Sequence, residues 1–282
     1  MFTFPAPAKL NLFLHVVGRR PDGYHLLQTV FRFIDFSDQL GFKLRADGVI
    51  KLCTPIAGVP EDKDLCVRAA KLLQQKTATA QGVDIFLQKQ IPMGGGLGGG
   101  SSDAATTLLA LNQLWQVNLS REQLLELGLQ LGADVPVFIF GQNAFAEGVG
   151  EKLAAIELPP AWYLVLIPAA QVSTAEIFIS KELTRNTIPI TIPPFSVWQG
   201  HNDLELVVCR AYPEVARCLE WLKRLENTTI AAMSGSGACV FAEFATQQAA
   251  RAAFERIPDG MTGFVAKGLD YHPLYKTLDL EN

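Results

Sequence analysis

Between residues 94 and 100 six of seven positions are glycine, Gly94-Gly95-Gly96-Leu97-Gly98-Gly99-Gly100, and Ser101-Ser102-Asp103-Ala104-Ala105 follows directly. Glycine loses more backbone entropy on folding than any other residue, so a run this dense belongs where main chain passes very close to a neighbour or takes φ > 0. Before it, Val83-Asp84-Ile85-Phe86-Leu87 alternates like a strand, and after it Ala104, Ala105, Leu108, Leu109, Leu111 and Trp115 trace one face of a helix. The run therefore opens a helix. Unpaired N–H groups and the positive end of the helix dipole converge there and favour an anion, with phosphate the expected occupant.

Three phosphate-binding patterns compete for the stretch. The P-loop pattern G-x-x-x-x-G-K-[ST] is excluded because no lysine follows the last glycine. The dinucleotide fingerprint G-x-G-x-x-G is matched by Gly94, Gly96 and Gly99. Where that fold needs an acidic residue at a strand end, however, Asn118-Leu119-Ser120-Arg121-Glu122 reads as the start of another helix. The third pattern, Pro92-x-Gly-Gly-Gly-Leu-Gly-Gly-Gly-Ser-Ser, resembles the glycine-rich motif of the galactokinase, homoserine kinase, mevalonate kinase and phosphomevalonate kinase (GHMP) family. A flexible structural loop is the bland alternative.

At 282 residues and 49% hydrophobic, the chain can bury one large core or two modest ones. A formal net charge of −4 provides no general basic field, so a phosphate site must be built locally and nucleic acid is not an expected partner. Cys53, Cys66, Cys209, Cys218 and Cys239 include no C-x-x-C pair, and His15, His25, His201 and His272 do not cluster in sequence. Neither a disulfide framework nor a metal site is expected, which fits reduced cytoplasm. The N-terminus lacks a basic and an apolar leader region, and the apolar run around Trp162 to Ile167 is too short to span a bilayer, so no membrane association is expected.

Periodicity predicts strands over 10–17, 29–36, 39–44, 83–90, 135–140, 144–147, 163–167, 239–244 and 263–267. It predicts helices over 65–75, 102–115, 120–132, 174–183, 203–209, 213–225 and 246–256, with a loop over 187–194. This is an α+β order rather than a regular βαβ series. Leu158-Pro159-Pro160 punctuates the chain and marks a domain boundary, giving domains 1–155 and 156–282.

Four further constellations carry chemistry. On the first strand, period-two geometry places Ala8, Leu10, Leu12 and Leu14 on one face, expected to be core, and Lys9, Asn11, Phe13 and His15 on the other. Lys9 is either a solvated edge charge or, with Asn11 beside it, part of a site. Asp134 enters the apolar run Val135-Pro136-Val137-Phe138 with no charged neighbour in sequence. It must reach a cleft, meet a cation brought by the fold, or hydrogen-bond its own turn. Ser234-Gly235-Ser236-Gly237 is a second small-residue turn, either a tight turn or a second set of phosphate-facing amides. Tyr24-His25 suits stacking on a flat heterocycle and bonding its edge, or else anchors a loop.

Pro7-Ala8-Lys9-Leu10-Asn11-Leu12, Asp22-Gly23-Tyr24-His25, the loop from Pro92 to Ala105, Leu131-Gly132-Ala133-Asp134-Val135-Pro136 and Gly235-Ser236-Gly237-Ala238, read together, resemble the GHMP kinases, all three family motifs included. The resemblance implies two α+β domains with the active site in the cleft between them. It implies phosphoryl transfer from ATP, with Mg²⁺ held mainly by its phosphates, to a tertiary hydroxyl of a small alcohol carrying cytidine diphosphate, in isoprenoid precursor biosynthesis. It further implies a monomer or weak homodimer. Carried over by position, Asp134 is the catalytic base and Lys9 its partner, and Asn11, Tyr24, His25, Thr174 and Phe178 contact the substrate. Tyr24 and Phe178 would sandwich the cytosine while His25 reads its edge. Lys89, Pro92, Met93, Gly94, Gly95, Gly96, Leu97, Gly98, Gly99, Gly100, Ser101 and Ser102 would hold ATP, with the backbone of Gly94 to Ser102 on the phosphates and Lys89 near the nucleoside. Asp64 stands where the family commonly has an asparagine near the adenine, and Ile179 where a lysine can follow the stacking aromatic.

Overall fold

A computed structural model describes residues 1–191 and 200–277. The chain begins with β1 (Phe2–Arg19), β2 (His25–Arg45) and β3 (Ile50–Leu52), then α1 (Leu65–Thr77), β4 (Gly82–Gln88), α2 (Gly99–Leu114), α3 (Arg121–Leu131) and α4 (Val135–Phe140). It continues with β5 (Ala144–Gly148), β6 (Lys152–Ala155), β7 (Trp162–Leu166), α5 (Thr174–Ile179), α6 (Glu205–Ala211) and α7 (Pro213–Lys223). β8 (Ala231–Met233), β9 (Val240–Phe244), α8 (Gln247–Phe254), β10 (Gly263–Leu269) and α9 (Pro273–Thr277) complete the described residues. The expected α+β class is the observed one.

β2 organises the sheet, because its 21 residues pair with β1, β4, β5 and β10 in turn. The path runs β3-β4-β2-β10-β7-β9-β8, and Gly268 and Leu269 of β10 pair with Ile34 and Phe33 to join its two parts. Residues expected as three short strands form two long ones. The β1–β2 hairpin absorbs its irregularities as bulges between Pro7 and Ala8, Asn11 and Phe13, and Val16 and Gly18, so side chains are re-aimed without ending the ladder.

The run 135–140, expected as a strand, is helix α4. Val-Pro-Val-Phe-Ile-Phe is apolar at every position and carries no period that separates a short helix from a buried strand. Pro136 in the first turn and Gly141 at φ 82° after the last residue bracket a helix instead. Strands β3, β6 and β8 and helix α9 are too short for periodicity to announce. Of the loop expected over 187–194, residues 187–191 are irregular and 192–194 lie outside the described residues.

α2 is buried nearly all round, because Gly99, Ala104, Ala105 and Ala110 let it settle into the interior. Around it a first core gathers Phe33, Phe42, Val67, Leu108, Phe138 and their neighbours. A second core forms around Leu164, Leu204, Leu219 and Val240, and a third, between them, around Leu10, Phe13, Tyr163 and Phe241. β1 contributes to all three: Phe4 and Ala6 to the first, Leu10 and Leu12 to the third, Leu14 and Val16 to the second. Both faces of residues 8–15 are buried, where the alternation predicted one. No helix among the described residues is long and apolar enough to cross a membrane.

His272 is enclosed against Phe33 and Tyr275 of the first core, its Nδ1 accepting the Leu274 N–H at 3.2 Å, and burial pushes its imidazole down to about 3. Unfolding releases a ring that titrates near 6.5, so the unfolded chain binds more protons between these values. This contribution to stability is complete above about pH 6.5 and falls by up to ~1.4 kcal/mol per pH unit below it. His272→Asn keeps an acceptor for Leu274 and does not titrate. Its denaturation midpoint should therefore vary less than wild type between about pH 6 and 4, and an unchanged acid slope would refute the assignment.

Candidate active site

The glycine run folds as expected, as the approach to α2. Gly94, Gly96 and Gly98 take φ of 68°, 73° and 72°. Gly96 has the strictest requirement, since a Cβ there would lie 2.1 Å from the Ser234 carbonyl oxygen. The Ala238 and Cys239 N–H groups donate to the carbonyls of Gly94 and Gly95 at 3.3 and 3.1 Å, and the Ser234 hydroxyl donates to Gly96 O at 2.9 Å. The two small-residue turns thus lie against each other as one surface. The N–H groups of Gly99, Gly100 and Ser101, in the first turn of α2, precede the first intrahelical bond from Ser102 N–H to Gly98 O at 2.8 Å.

Two residues of the loop expected to offer its backbone to phosphate carry inward-facing side chains. The Leu97 side chain is core and its carbonyl accepts the Lys9 N–H at 2.9 Å. Ser102 is fully buried with its N–H already in the helix. The other members, from Pro92 to Gly96 and Gly98 to Ser101, line a cleft of about 600 Å³ together with Lys9, Asn11, Lys89, Asp134, Thr174 and Phe178.

Asp134 ends the turn after α3 and precedes α4, whose first N–H groups its side chain does not cap. The carboxylate faces the cleft, 37% exposed, and its Oδ2 lies 3.1 Å from the Lys9 Nζ, whose side chain is only 2% exposed. The cation Asp134 lacked in sequence comes from β1. Lys9 also donates to Asn11 Oδ1 and to Gly96 O at 3.0 Å, and its ammonium lies 5.4 Å from the centre of the Phe31 ring. A buried ammonium with three acceptors and an aromatic face is built in, not a strand-edge charge.

At the far end of the cleft Lys89 donates to Asp38 and, at 2.8 Å, to Asp103. Asp38 also accepts from the Gln90 and Ile91 N–H groups, tying the exit of β4 to β2. Burial pushes Asp103 up to about 8, with Lys89 opposing and Asp38 adding to the shift. Asp64 caps α1 by accepting from Cys66 and Val67 N–H at 2.9 and 3.1 Å, and it borders the same end.

Tyr24 and His25 stand outside the cleft wall. Tyr24 is 66% exposed, while the His25 ring stacks on Phe178 with centroids 4.9 Å apart. His25 Nε2 accepts from Arg185 Nε at 3.1 Å. Burial, reinforced by Arg185 and Arg19, lowers the His25 pKa below its usual range. The ring is accordingly neutral with its proton on Nδ1. One face of Phe178 is thus occupied by His25, where the sequence expectation gave both aromatics to a base. Thr174 Oγ1 meets Ser236 Oγ at 2.7 Å.

The histidines, unclustered in sequence, pair in space: the His15 and His201 rings are 4.6 Å apart, and His201 meets Asp203 at 2.8 Å. Among the described residues no group of three or more His, Cys, Asp or Glu side chains is placed to hold a metal ion. Asn202, Thr29, Arg185 and Asp38 were not anticipated. All are common polar residues whose partners lie far away in sequence, and no local pattern marks them.

A buried lysine paired with a cleft-facing carboxylate, beside glycine-rich amides at a helix N-terminus, is an arrangement for moving a phosphoryl group. The chain belongs to the GHMP kinase family: residues 64–142 match the GHMP kinases N terminal domain and residues 197–262 the GHMP kinases C terminal domain. It is accordingly an ATP-dependent kinase acting on a small molecule. Among its curated relatives, the 4-diphosphocytidyl-2-C-methyl-D-erythritol kinase of Nitrosospira multiformis is 73% identical over 96% of this chain and 92% of its own. The enzyme of the same name from Nitrosomonas europaea is 64% identical over 97% and 99%. A crystal structure of 4-(cytidine 5'-diphospho)-2C-methyl-D-erythritol kinase superimposes with a TM-score of 0.83 at 33% identity, covering 95% of this chain and 99% of that one. The L. major mevalonate kinase in complex with R-mevalonate shares the fold alone, at TM-score 0.66 and 15% identity, covering 96% of each chain.

Gly96→Ala should cost several kcal/mol in a denaturation experiment, because the new methyl meets backbone that has nowhere to move. Gly94→Ala has open space around it and should cost only the ~1–2 kcal/mol of a left-handed alanine. Equal losses in the two variants would show that the contact between the turns does not hold the loop.

Proposed function

We propose that the chain transfers the γ-phosphoryl group of ATP to the 2-hydroxyl of 4-diphosphocytidyl-2-C-methyl-D-erythritol, the alcohol named in its relatives, in isoprenoid precursor biosynthesis. The observation that carries this reading is the Lys9–Asp134 pair at 3.1 Å, facing the cleft that the glycine turns line. Residues 1–155 form the ATP-holding domain and 156–282 the one completing the substrate site, with β1 contributing to all three cores. We expect a cytoplasmic enzyme, monomeric or weakly dimeric.

Phosphoryl transfer through a loose transition state asks for alignment and for stabilisation of charge on the transferred oxygens. The free N–H groups of Gly99, Gly100 and Ser101 bind the phosphates at the positive end of α2, with the Gly235 turn opposite. The nucleoside lies toward Lys89, Pro92 and Met93. Asp64 uses Oδ1 to cap α1, and its N–H and carbonyl are taken up by Pro60 and by Arg68, so neither its cap oxygen nor its backbone is assigned to the adenine. Asp134 accepts the proton of the tertiary hydroxyl, and Lys9 orients it and faces the transferred phosphoryl group. Asn11 and Thr174 position the methylerythritol. The Ser101 hydroxyl bordering the cleft is a hard oxygen donor, which fits a Mg²⁺ held mostly by ATP and water. Bound there, the ion would neutralise charge on the phosphates. For the cytosine, Tyr24 is exposed and free to close on the base, and the Nδ1–H of His25 is available as donor to a ring nitrogen or carbonyl.

Asp134→Asn preserves shape and removes the proton acceptor, so kcat should fall below about a tenth of wild type with KM for both substrates little changed. A coupled ADP-release assay checks this, and wild-type kcat in the variant would refute the base. Tyr24→Ala and Phe178→Ala should each cost ~1–3 kcal/mol in binding of the diphosphocytidyl alcohol and spare KM for ATP. Equal weakening of ATP binding, or efficient phosphorylation of the alcohol without its cytidine, would refute the substrate.

A further inference from the structure

The hydrogen bonds around Lys9 have a direction, and that direction starts at Thr29. An ammonium carries three protons and no acceptor. The Lys9 Nζ has three acceptors around it: Asn11 Oδ1, Gly96 O at 3.0 Å and Asp134 Oδ2 at 3.1 Å. Because the ammonium only donates, the Asn11 atom facing it must be the amide oxygen. The Asn11 amide nitrogen then points the other way and donates to Thr29 Oγ1 at 2.9 Å. The Thr29 hydroxyl gives its own proton to the Phe13 carbonyl, leaving Oγ1 free to accept. Thr29 and Asn11 are each 2% exposed, so water does not substitute for either partner.

We propose that Thr29 is a positioning residue for phosphoryl transfer. Its hydroxyl sets the sense of the Asn11 amide and so directs one Lys9 proton to Asp134. Thr29 does not border the cleft, and it acts entirely through Asn11 and Lys9. Without the hydroxyl, Asn11 must either keep a buried NH₂ group unpaired or turn that group against the ammonium, donor against donor. Either outcome loosens Lys9 at the atom facing Asp134. The inference rests on the reading of Lys9 and Asp134 as the reacting pair.

The test compares Thr29→Val, which keeps shape without the hydroxyl, with Thr29→Ser, which keeps the hydroxyl without the methyl. In Thr29→Val kcat should fall about tenfold or more while KM for ATP and for the alcohol stays within about threefold, and Thr29→Ser should stay within about threefold of wild-type kcat. Hydrogen exchange of the Asn11 side-chain amide, followed by NMR, should be slow in wild type and Thr29→Ser and faster in Thr29→Val. If Thr29→Val is not recovered folded, Thr29→Ala takes its place with the same expected losses. Wild-type kcat and slow Asn11 exchange without the hydroxyl would overturn the proposal. So would a Thr29→Ser enzyme as slow as Thr29→Val, because packing would then be what matters. Asp134→Asn, run alongside, separates the two claims: full activity there refutes the reacting pair, while the Asn11 exchange comparison still judges Thr29.

Discussion

A lysine ammonium sits where water scarcely reaches it, and much of the molecule is arranged so that it can. Removing an ammonium from water costs several kcal/mol unless every donor finds an acceptor and a counter-charge lies close. Lys9 obtains these from three places distant in sequence: Asn11 beside it on β1, the Gly96 carbonyl in the glycine run, and Asp134 before α4. Each partner is itself held. Gly96 is pinned by the Ser234 hydroxyl, which also accepts from the Asn11 N–H at 3.1 Å. Charge, loop and turn therefore stand or fall together.

The same requirement explains the glycines. A loop whose carbonyl must reach a buried ammonium, and whose Cα lies against the Ser234 backbone, has no room for side chains at Gly96. A Cβ at Gly98 would meet Lys9 Cε at 3.0 Å, so the stem of the lysine fills the space a side chain would take. The density of glycine follows from close packing of main chain on a charged side chain as well as from phosphate. Asn202 extends the arrangement by donating to the Met233 and Gly235 carbonyls at 2.9 and 2.7 Å, holding the second turn in place.

The two ends of the cleft solve different problems. Around Lys89 two carboxylates share one cation in a nearly closed space, and burial raises Asp103 because Lys89 cannot neutralise both fully. Around Phe178 the polar groups are half exposed. Arg185 donates to the Phe178 and Ser180 carbonyls at 2.8 and 2.6 Å as well as to His25, so it clamps the end of α5 and fixes the tautomer of the ring stacked on it. Rigid charge at one end and adaptable aromatic surface at the other suit a nucleotide held by its phosphates and a second substrate read by its base.

By itself the sequence determined the elements with strong local signals. The strand–glycine–helix passage, the start of α3 at Ser120, the helices α7 and α8 and the α+β class all follow from period, caps and backbone freedom, which act over a few residues. It also named Lys9, Asn11 and Asp134, because charged or amide groups among apolar neighbours need a partner wherever the chain takes them. Tertiary structure decided who those partners are. It made 135–140 a helix, since six apolar residues carry no period and only packing chooses. It merged three expected strands into two, since bulges are set by the opposite strand. It buried the side chains of Leu97 and Ser102, and it laid His25 on Phe178 and His15 against His201. Thr29 and Arg185 entered the site from long range, because a hydroxyl or guanidinium has no pattern of its own until a distant carbonyl, amide or ring arrives to meet it.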